Sequence, residues 1–163
     1  MTKPVKWGII STADINRKVI PGAHASDAIE LVAVASRDRA RAEEYAKQWE
    51  IPRAFGSYDE LLADPEIEAV YISLPNTMHC EWSIRALEAG KHVLCEKPLS
   101  RHPEEVSAAF DAADRAGLHL SEAFMYRHNP QTKRLQELVA GGAIGELRLV
   151  RSVFSYSLYD HDN

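Results

Sequence analysis

The chain has 163 residues and a formal net charge of −5, from 24 acidic against 19 basic residues. That balance lacks the basic excess a nucleic-acid binder needs and offers no electrostatic attraction to an anionic membrane. A hydrophobic content of 45% with 26% charged residues is ordinary for a folded protein and excludes a disordered one, and the length suits about one domain with some chain left over.

The amino terminus lacks the apolar core of a signal peptide and enters a short β-branched run at Val5–Ile10 directly. A helix is expected from about Asp14 to His24, interrupted at Pro21. A strand at Ile29–Ala35, a helix at Arg39–Trp49 and a short extended piece at Arg53–Phe55 follow. Ser57 reads as a helix N-cap, with Glu60 three residues on completing a capping box for Tyr58–Ala63. Ala69–Leu74 reads as a strand, Thr77–Ala89 as a helix closed by Gly90, and His92–Glu96 as a strand. Cys95 in that run is most simply a small core residue; Cys80, early in the preceding helix, is expected to be a passive thiol. Pro103 suits the first turn of a helix over Pro103–Ala116, whose Val106, Ala109, Phe110 and Ala113 share one face and which Gly117 closes. Leu118–Ala123 is a sixth short strand. No apolar run approaches the ~20 residues of a membrane span, so the protein is expected to be soluble and cytoplasmic.

Six strands with intervening helices predict parallel βαβ units, hence an α/β doubly wound parallel sheet of the Rossmann type. Beyond residue 130 the pattern changes. Gln131–Val139 reads as a helix stopped by Gly141-Gly142. Gly145–Leu158 then reads as a strand longer than any other, with Val150, Phe154, Tyr156 and Leu158 on alternate positions. A strand of that length needs a partner, so it is expected to be the first strand of an antiparallel second domain cut off at Asn163. The expected division is therefore 1–124 and 125–163. The closing Asp160-His161-Asp162-Asn163 reads as a loop, and no metal site is expected.

In a doubly wound sheet, ligands bind beyond the carboxyl ends of the strands. The first such end, Gly8-Ile9-Ile10-Ser11-Thr12-Ala13, matches a dinucleotide fingerprint only at Gly8 and Ala13. Its chemistry remains suitable: backbone N–H groups and the hydroxyls of Ser11 and Thr12 could face a pyrophosphate at a helix N-terminus. The plain alternative is a polar turn that binds nothing. After the second strand, Ser36 and Arg37 suit the 2′-phosphate of NADP, with the Arg37 guanidinium also able to lie on adenine. The alternative is that Arg37 and Arg41 are solvated charges and Asp38 takes the ribose hydroxyl, as in NAD binding.

Three further segments combine with the first: Leu74-Pro75-Asn76-Thr77-Met78-His79, Cys95-Glu96-Lys97-Pro98, and Glu122 to Pro130, which contains Tyr126-Arg127-His128-Asn129-Pro130. With Lys6 to Ala13 in front, this ordered set resembles the glucose–fructose oxidoreductase/inositol dehydrogenase (Gfo/Idh/MocA) family, most like its branch of dimeric dihydrodiol dehydrogenases and NADP-dependent sugar dehydrogenases. The resemblance implies a Rossmann domain followed by an open-faced antiparallel sheet. It also implies hydride transfer between a nicotinamide and a hydroxyl-bearing carbon of a sugar, polyol or trans-dihydrodiol, with NADP preferred over NAD. Lys97 would then be catalytic, its ammonium stabilising alkoxide-like charge on the substrate oxygen, with Pro98 biasing its backbone toward an extended form. Glu96 could orient Lys97 or bond the nicotinamide ribose. Leu74, Asn76 and His79 match the family's cofactor loop, and Tyr126 and Arg127 are expected to line the cofactor cleft or pack the hinge. The proton relay, the substrate specificity and the homo-oligomer interface would belong to the second domain, which leaves this chain mainly the cofactor-binding half. A different reading is a non-catalytic NAD(P)-binding regulatory or scaffold module.

Overall fold

A computed structural model describes residues 3–155, and the chain separates after Phe124 into two compact units. The first contains six strands, β1 (Val5–Ile10), β2 (Ile29–Ala35), β3 (Arg53–Phe55), β4 (Ala69–Ile72), β5 (His92–Cys95) and β6 (Leu120–Glu122). Its helices are α1 (Asn16–His24), α2 (Arg39–Gln48), α3 (Tyr58–Leu62), α4 (His79–Glu88) and α5 (Pro103–Ala116). All strand pairs are parallel and their order is β3-β2-β1-β4-β5-β6. The chain starts at the sheet centre, runs outward to β3 and returns to β4 beside β1. That reversal makes the β1–β4 boundary the switch point at which such sheets bind ligands.

The apolar runs form strands because both sheet faces are covered. Ile9, Leu31 and Tyr71 pack with Ile20 of α1 and Ala46 of α2 on one face. Ile10, Val70, Ile72, Val93 and Cys95 pack with α3, α4 and α5 on the other. Gly8 serves this packing: a Cβ there would lie 3.0 Å from Leu61 of α3 and 3.3 Å from Ile67. Gly117 ends α5 at φ 65°, a left-handed conformation that favours glycine.

Helix starts differ from expectation in informative ways. α1 begins two residues late, at Asn16, and Pro21 lies inside it. The segment Asn76–Met78 forms a separate 3-10 turn before α4. At α3 the capping box is only half formed. Ser57 Oγ accepts from the Glu60 N–H at 3.1 Å, but the Glu60 carboxylate accepts from Gly56 N–H at 3.1 Å and pairs with Arg39 at 2.8 Å. Replacing Ser57 with alanine removes that cap and should lower stability by about 1 kcal/mol in urea unfolding; an unchanged midpoint would show that Glu60 alone holds the turn.

The second unit has a 3-10 turn at Met125–His128 and helix α6 (Pro130–Ala140), capped by Asn129, whose side chain accepts from Gln131 N–H at 2.9 Å. The strand expected from Gly145 does not form over residues 145–155. Val150 and Phe154 are 73% and 90% exposed. Alternating apolar residues give strand character only against a ladder partner, and no strand among the described residues pairs with this segment. The expected continuation through Tyr156 and Leu158, and the loop at 160–163, lie outside the described residues. No helix among the described residues is long and apolar enough to cross a membrane.

Candidate functional site

Four strand ends stand in one row. Ile10 is in register with Ala35 on one side and with Ile72 on the other, and Ile72 with Cys95. The ladder continues one residue past these ends: Ser11 N–H donates to Ala35 O at 3.1 Å, Ser73 N–H to Ile10 O at 3.3 Å and Glu96 N–H to Ile72 O at 2.8 Å. The loops beginning at Ser36, Ser11, Ser73 and Glu96 are thus rigidly seeded over three strand spacings, roughly 14 Å.

A cleft of 380 Å³ lies over the β2–β1–β4 part of that row, lined by Ser11, Thr12, Ala13, Ser36, Arg37 and Arg41, with Tyr58, Ser73, Leu74 and Pro75 completing it. Ser11 is the least conventional residue in it. Its φ is 118°, a backbone region that favours glycine. Its hydroxyl faces inward and bonds the Ser73 carbonyl at 3.1 Å, the Ser73 hydroxyl at 3.0 Å and the Ala13 N–H at 3.0 Å. One donor and two lone pairs are all a hydroxyl has, so Ser11 Oγ has no capacity left for a ligand, contrary to the expectation from sequence. Thr12 is half-buried in the cleft, and no acceptor for its N–H is found among the described residues. Gly8 does not line this cleft; it lies within β1 under α3.

On the β2 side, Asp38 is the N-cap of α2, its carboxylate accepting the Arg41 N–H at 3.2 Å. Ser36 Oγ accepts the Asp38 N–H at 3.3 Å, which closes the turn. Arg39 is engaged by Glu60 and Glu43. Arg37 and Arg41, exposed and in the cleft wall, form no ion pair among the described residues. The donor set therefore offers two guanidinium groups and a threonine N–H, and its acidic side chain is turned to the helix. Such a set fits a phosphorylated nucleotide. Arg41, Tyr58 and Ser73 were not singled out from the sequence as site residues. Arg41 and Ser73 carried one legible signal, their nearness to strand ends.

On the β4–β5 side, His79 is fully buried at the start of α4 and spans two loops. Its Nε2 lies 2.8 Å from the Leu74 carbonyl and its Nδ1 2.8 Å from the Pro98 carbonyl. His79 is thus a strut between the loops that follow β4 and β5. Asn76 is exposed in the intervening turn and, with Pro98 and Arg101, borders a second hollow of 470 Å³. The Lys97–Pro98 peptide is cis. The Glu96 carboxylate accepts from the Lys97 backbone N–H at 3.2 Å and from the Tyr71 hydroxyl at 2.7 Å. Burial, reinforced by that carboxylate, pushes the Tyr71 phenol well above its usual range, so it stays protonated and donates. The Lys97 side chain is exposed, and its ammonium forms no ion pair among the described residues. Glu96 thus holds the backbone at Lys97 rather than its charged end.

Cys95 is fully buried and its thiol is pushed up to about 12 by that burial; burial raises the Cys80 thiol too. Neither offers a thiolate nucleophile near neutral pH. Tyr126 and Arg127 are exposed in the 3-10 turn of the second unit.

A 50% identity over 155 residues links the chain to D-xylose 1-dehydrogenase (NADP(+)) 2 of Haloferax volcanii, covering 94% of this chain and 47% of that protein. Trans-1,2-dihydrobenzene-1,2-diol dehydrogenase of Mus musculus is 38% identical over 156 residues, again covering 94% and 47%. The chain therefore spans about half the length of the curated relatives it matches. Among solved structures, a 3-ketoreductase from Actinomadura kijaniata in complex with NADP and TDP-benzene superposes with a TM-score of 0.79 at 36% identity, covering 85% of this chain and 43% of that one. Residues 5–124 match the Gfo/Idh/MocA model, described as the oxidoreductase family with an NAD-binding Rossmann fold. With its parallel sheet, its switch-point cleft and its strand-end loops, the chain belongs to the Gfo/Idh/MocA oxidoreductase family.

Proposed function

We propose that this chain is the NADP-binding half of an oxidoreductase that moves a hydride between nicotinamide and a hydroxyl-bearing carbon of a sugar, polyol or trans-dihydrodiol. In this reading residues 1–124 are the dinucleotide-binding domain. Residues 125–163 begin a substrate and homo-oligomerisation domain. The observation that carries the cofactor choice is the engagement of Asp38 as a helix cap while Arg37 and Arg41, in the cleft wall, form no ion pair among the described residues. A ribose bearing a free 2′-hydroxyl calls for a carboxylate at this position; a 2′-phosphate calls for cations. The NADP named for the Haloferax relative and for the solved 3-ketoreductase supports the same reading.

When bound, NADP supplies a nicotinamide that accepts or returns the hydride. The chain's own residues would bind and orient it, and the proton relay would come from the second domain. Arg37, Arg41 and Ser36 would hold the 2′-phosphate, and Arg37 could lie along the adenine. Thr12 N–H would serve the pyrophosphate, and Ala13 would allow close approach. Leu74, Asn76 and the loop fixed by His79 and Glu96 would border the nicotinamide end. Lys97 would donate a hydrogen bond to the substrate oxygen and stabilise negative charge there.

Titrating the protein with NADPH and NADH by cofactor fluorescence tests this. NADPH should bind far more tightly. Arg37→Ala should weaken NADPH about 10–100-fold, the worth of one or two charge-assisted bonds, and weaken NADH, which shares only the adenine contact, much less. Equal binding of the two cofactors by the unsubstituted protein would overturn the NADP assignment. Turnover of a sugar, polyol and dihydrodiol panel by the full-length protein separates an enzyme from a binding module.

A further inference from the structure

A serine stands in the phosphate turn where the backbone takes a conformation that favours glycine, φ 118° at Ser11. Strain of this kind persists only when surrounding structure holds it. Two neighbours hold it here. Ser73 takes the Ser11 hydroxyl, as described above. Asn16, with no exposed surface, donates from Nδ2 to the Ser11 carbonyl at 3.0 Å. Its other amide atom, Oδ1, is buried without a hydrogen-bond partner. An unsatisfied buried acceptor destabilises the fold, and what the asparagine gives in return is its Nδ2 donation to the Ser11 carbonyl, which has no other donor among the described residues.

The geometry of the peptide plane shows what the asparagine does. In a trans peptide the C=O and N–H point in opposite directions. Drawing the Ser11 carbonyl inward to Asn16 turns the Thr12 N–H outward. The neighbouring Ala13 N–H is already occupied by Ser11 Oγ. The donor that faces outward from the Ser11–Thr12 peptide is therefore aimed by a residue buried beneath the turn.

We propose that Asn16, assisted by Ser73, is a positioning residue for the cofactor's pyrophosphate: it holds Ser11 in a glycine-like conformation and presents the Thr12 N–H without touching the ligand itself. This rests on the NADP reading above. The two predictions peculiar to it are a selective loss of affinity and its rescue by glycine.

The test uses the 163-residue chain, its Asn16→Ala and Ser11→Gly variants and the double variant, with three readouts. NADPH affinity should fall about tenfold in Asn16→Ala. Affinity for adenosine 2′-monophosphate, which carries no pyrophosphate, should stay within about twofold of the parent. In the double variant NADPH affinity should return to within about threefold of Ser11→Gly alone, because glycine adopts the turn unaided. Unchanged NADPH affinity in Asn16→Ala, an equal loss for both ligands, or no rescue by glycine would each overturn the proposal. The third readout needs no ligand: the Ala13 amide, protected by Ser11 Oγ, should exchange with solvent faster in Asn16→Ala. If the parent chain binds neither ligand, the NADP reading fails, and unchanged Ala13 exchange would then overturn the brace separately.

Discussion

Replacing Lys97 with methionine should lower turnover by about 10²–10³-fold while leaving NADPH affinity within about twofold, the pattern of a group that acts on the transition state alone. The structural basis is the division of labour in Glu96-Lys97. Glu96 accepts from the Lys97 backbone N–H and from the Tyr71 hydroxyl, so the nearest carboxylate in sequence does not neutralise the ammonium. Methionine keeps most of the stem length and removes only the charge and the donors. Steady-state turnover and fluorescence titration of the full-length protein make the measurement. Full activity in Lys97→Met would remove it from the reaction, and loss of NADPH binding would reassign it to the cofactor.

The second large effect concerns stability. His79→Ala should destabilise the chain by about 3–5 kcal/mol, read from urea or thermal unfolding. Two contributions act together: a ring with no exposed surface leaves a cavity in a well-packed interior, and the Leu74 and Pro98 carbonyls lose their partner. His79→Gln, which restores one donor and part of the volume, should recover part of the loss. A change below about 1 kcal/mol in His79→Ala would mean that the two loops hold their shape independently. Because one ring fixes both loops, a surviving His79→Ala protein should also show faster amide exchange around Asn76.

The sheet was legible because parallel strands buried on both faces are near-continuous apolar runs, as Val70-Tyr71-Ile72 and Val93-Leu94-Cys95 are. The ends were less so. β4 stops at Ile72, two residues short of the expected Leu74, because Ser73 and Leu74 turn to build the cleft wall and receive His79. The segment from Gly145 is not a strand over 145–155 for a physical reason. Alternation records which side of a strand is apolar but not whether a ladder forms, and no strand among the described residues pairs with this segment. At the site, residue types and strand ends single out Ser36, Arg37 and Thr12 as cofactor candidates, and all three line the cleft. Ser11 lines the cleft too, yet its hydroxyl direction is not readable from sequence, since it depends on a backbone angle and on Ser73, a residue far along the chain. Asp38 was ambiguous for the same reason: only the geometry of α2 shows that its carboxylate caps a helix. Gly8, the best match to a fingerprint glycine, instead meets Leu61, a tertiary contact that no local pattern contains.

The bond between Ser11 and Ser73 crosses 62 positions of the chain. A growing polypeptide therefore carries the letters of the Ser11–Ala13 turn long before that turn has the bond to Ser73. Until β4 has been made and has docked beside β1, nothing from that strand secures the Ser11 hydroxyl, and loop-closure entropy opposes the contact. The inward anchoring of the Ser11 hydroxyl is thus acquired late, with the fourth strand, although the turn itself lies within the first 13 residues.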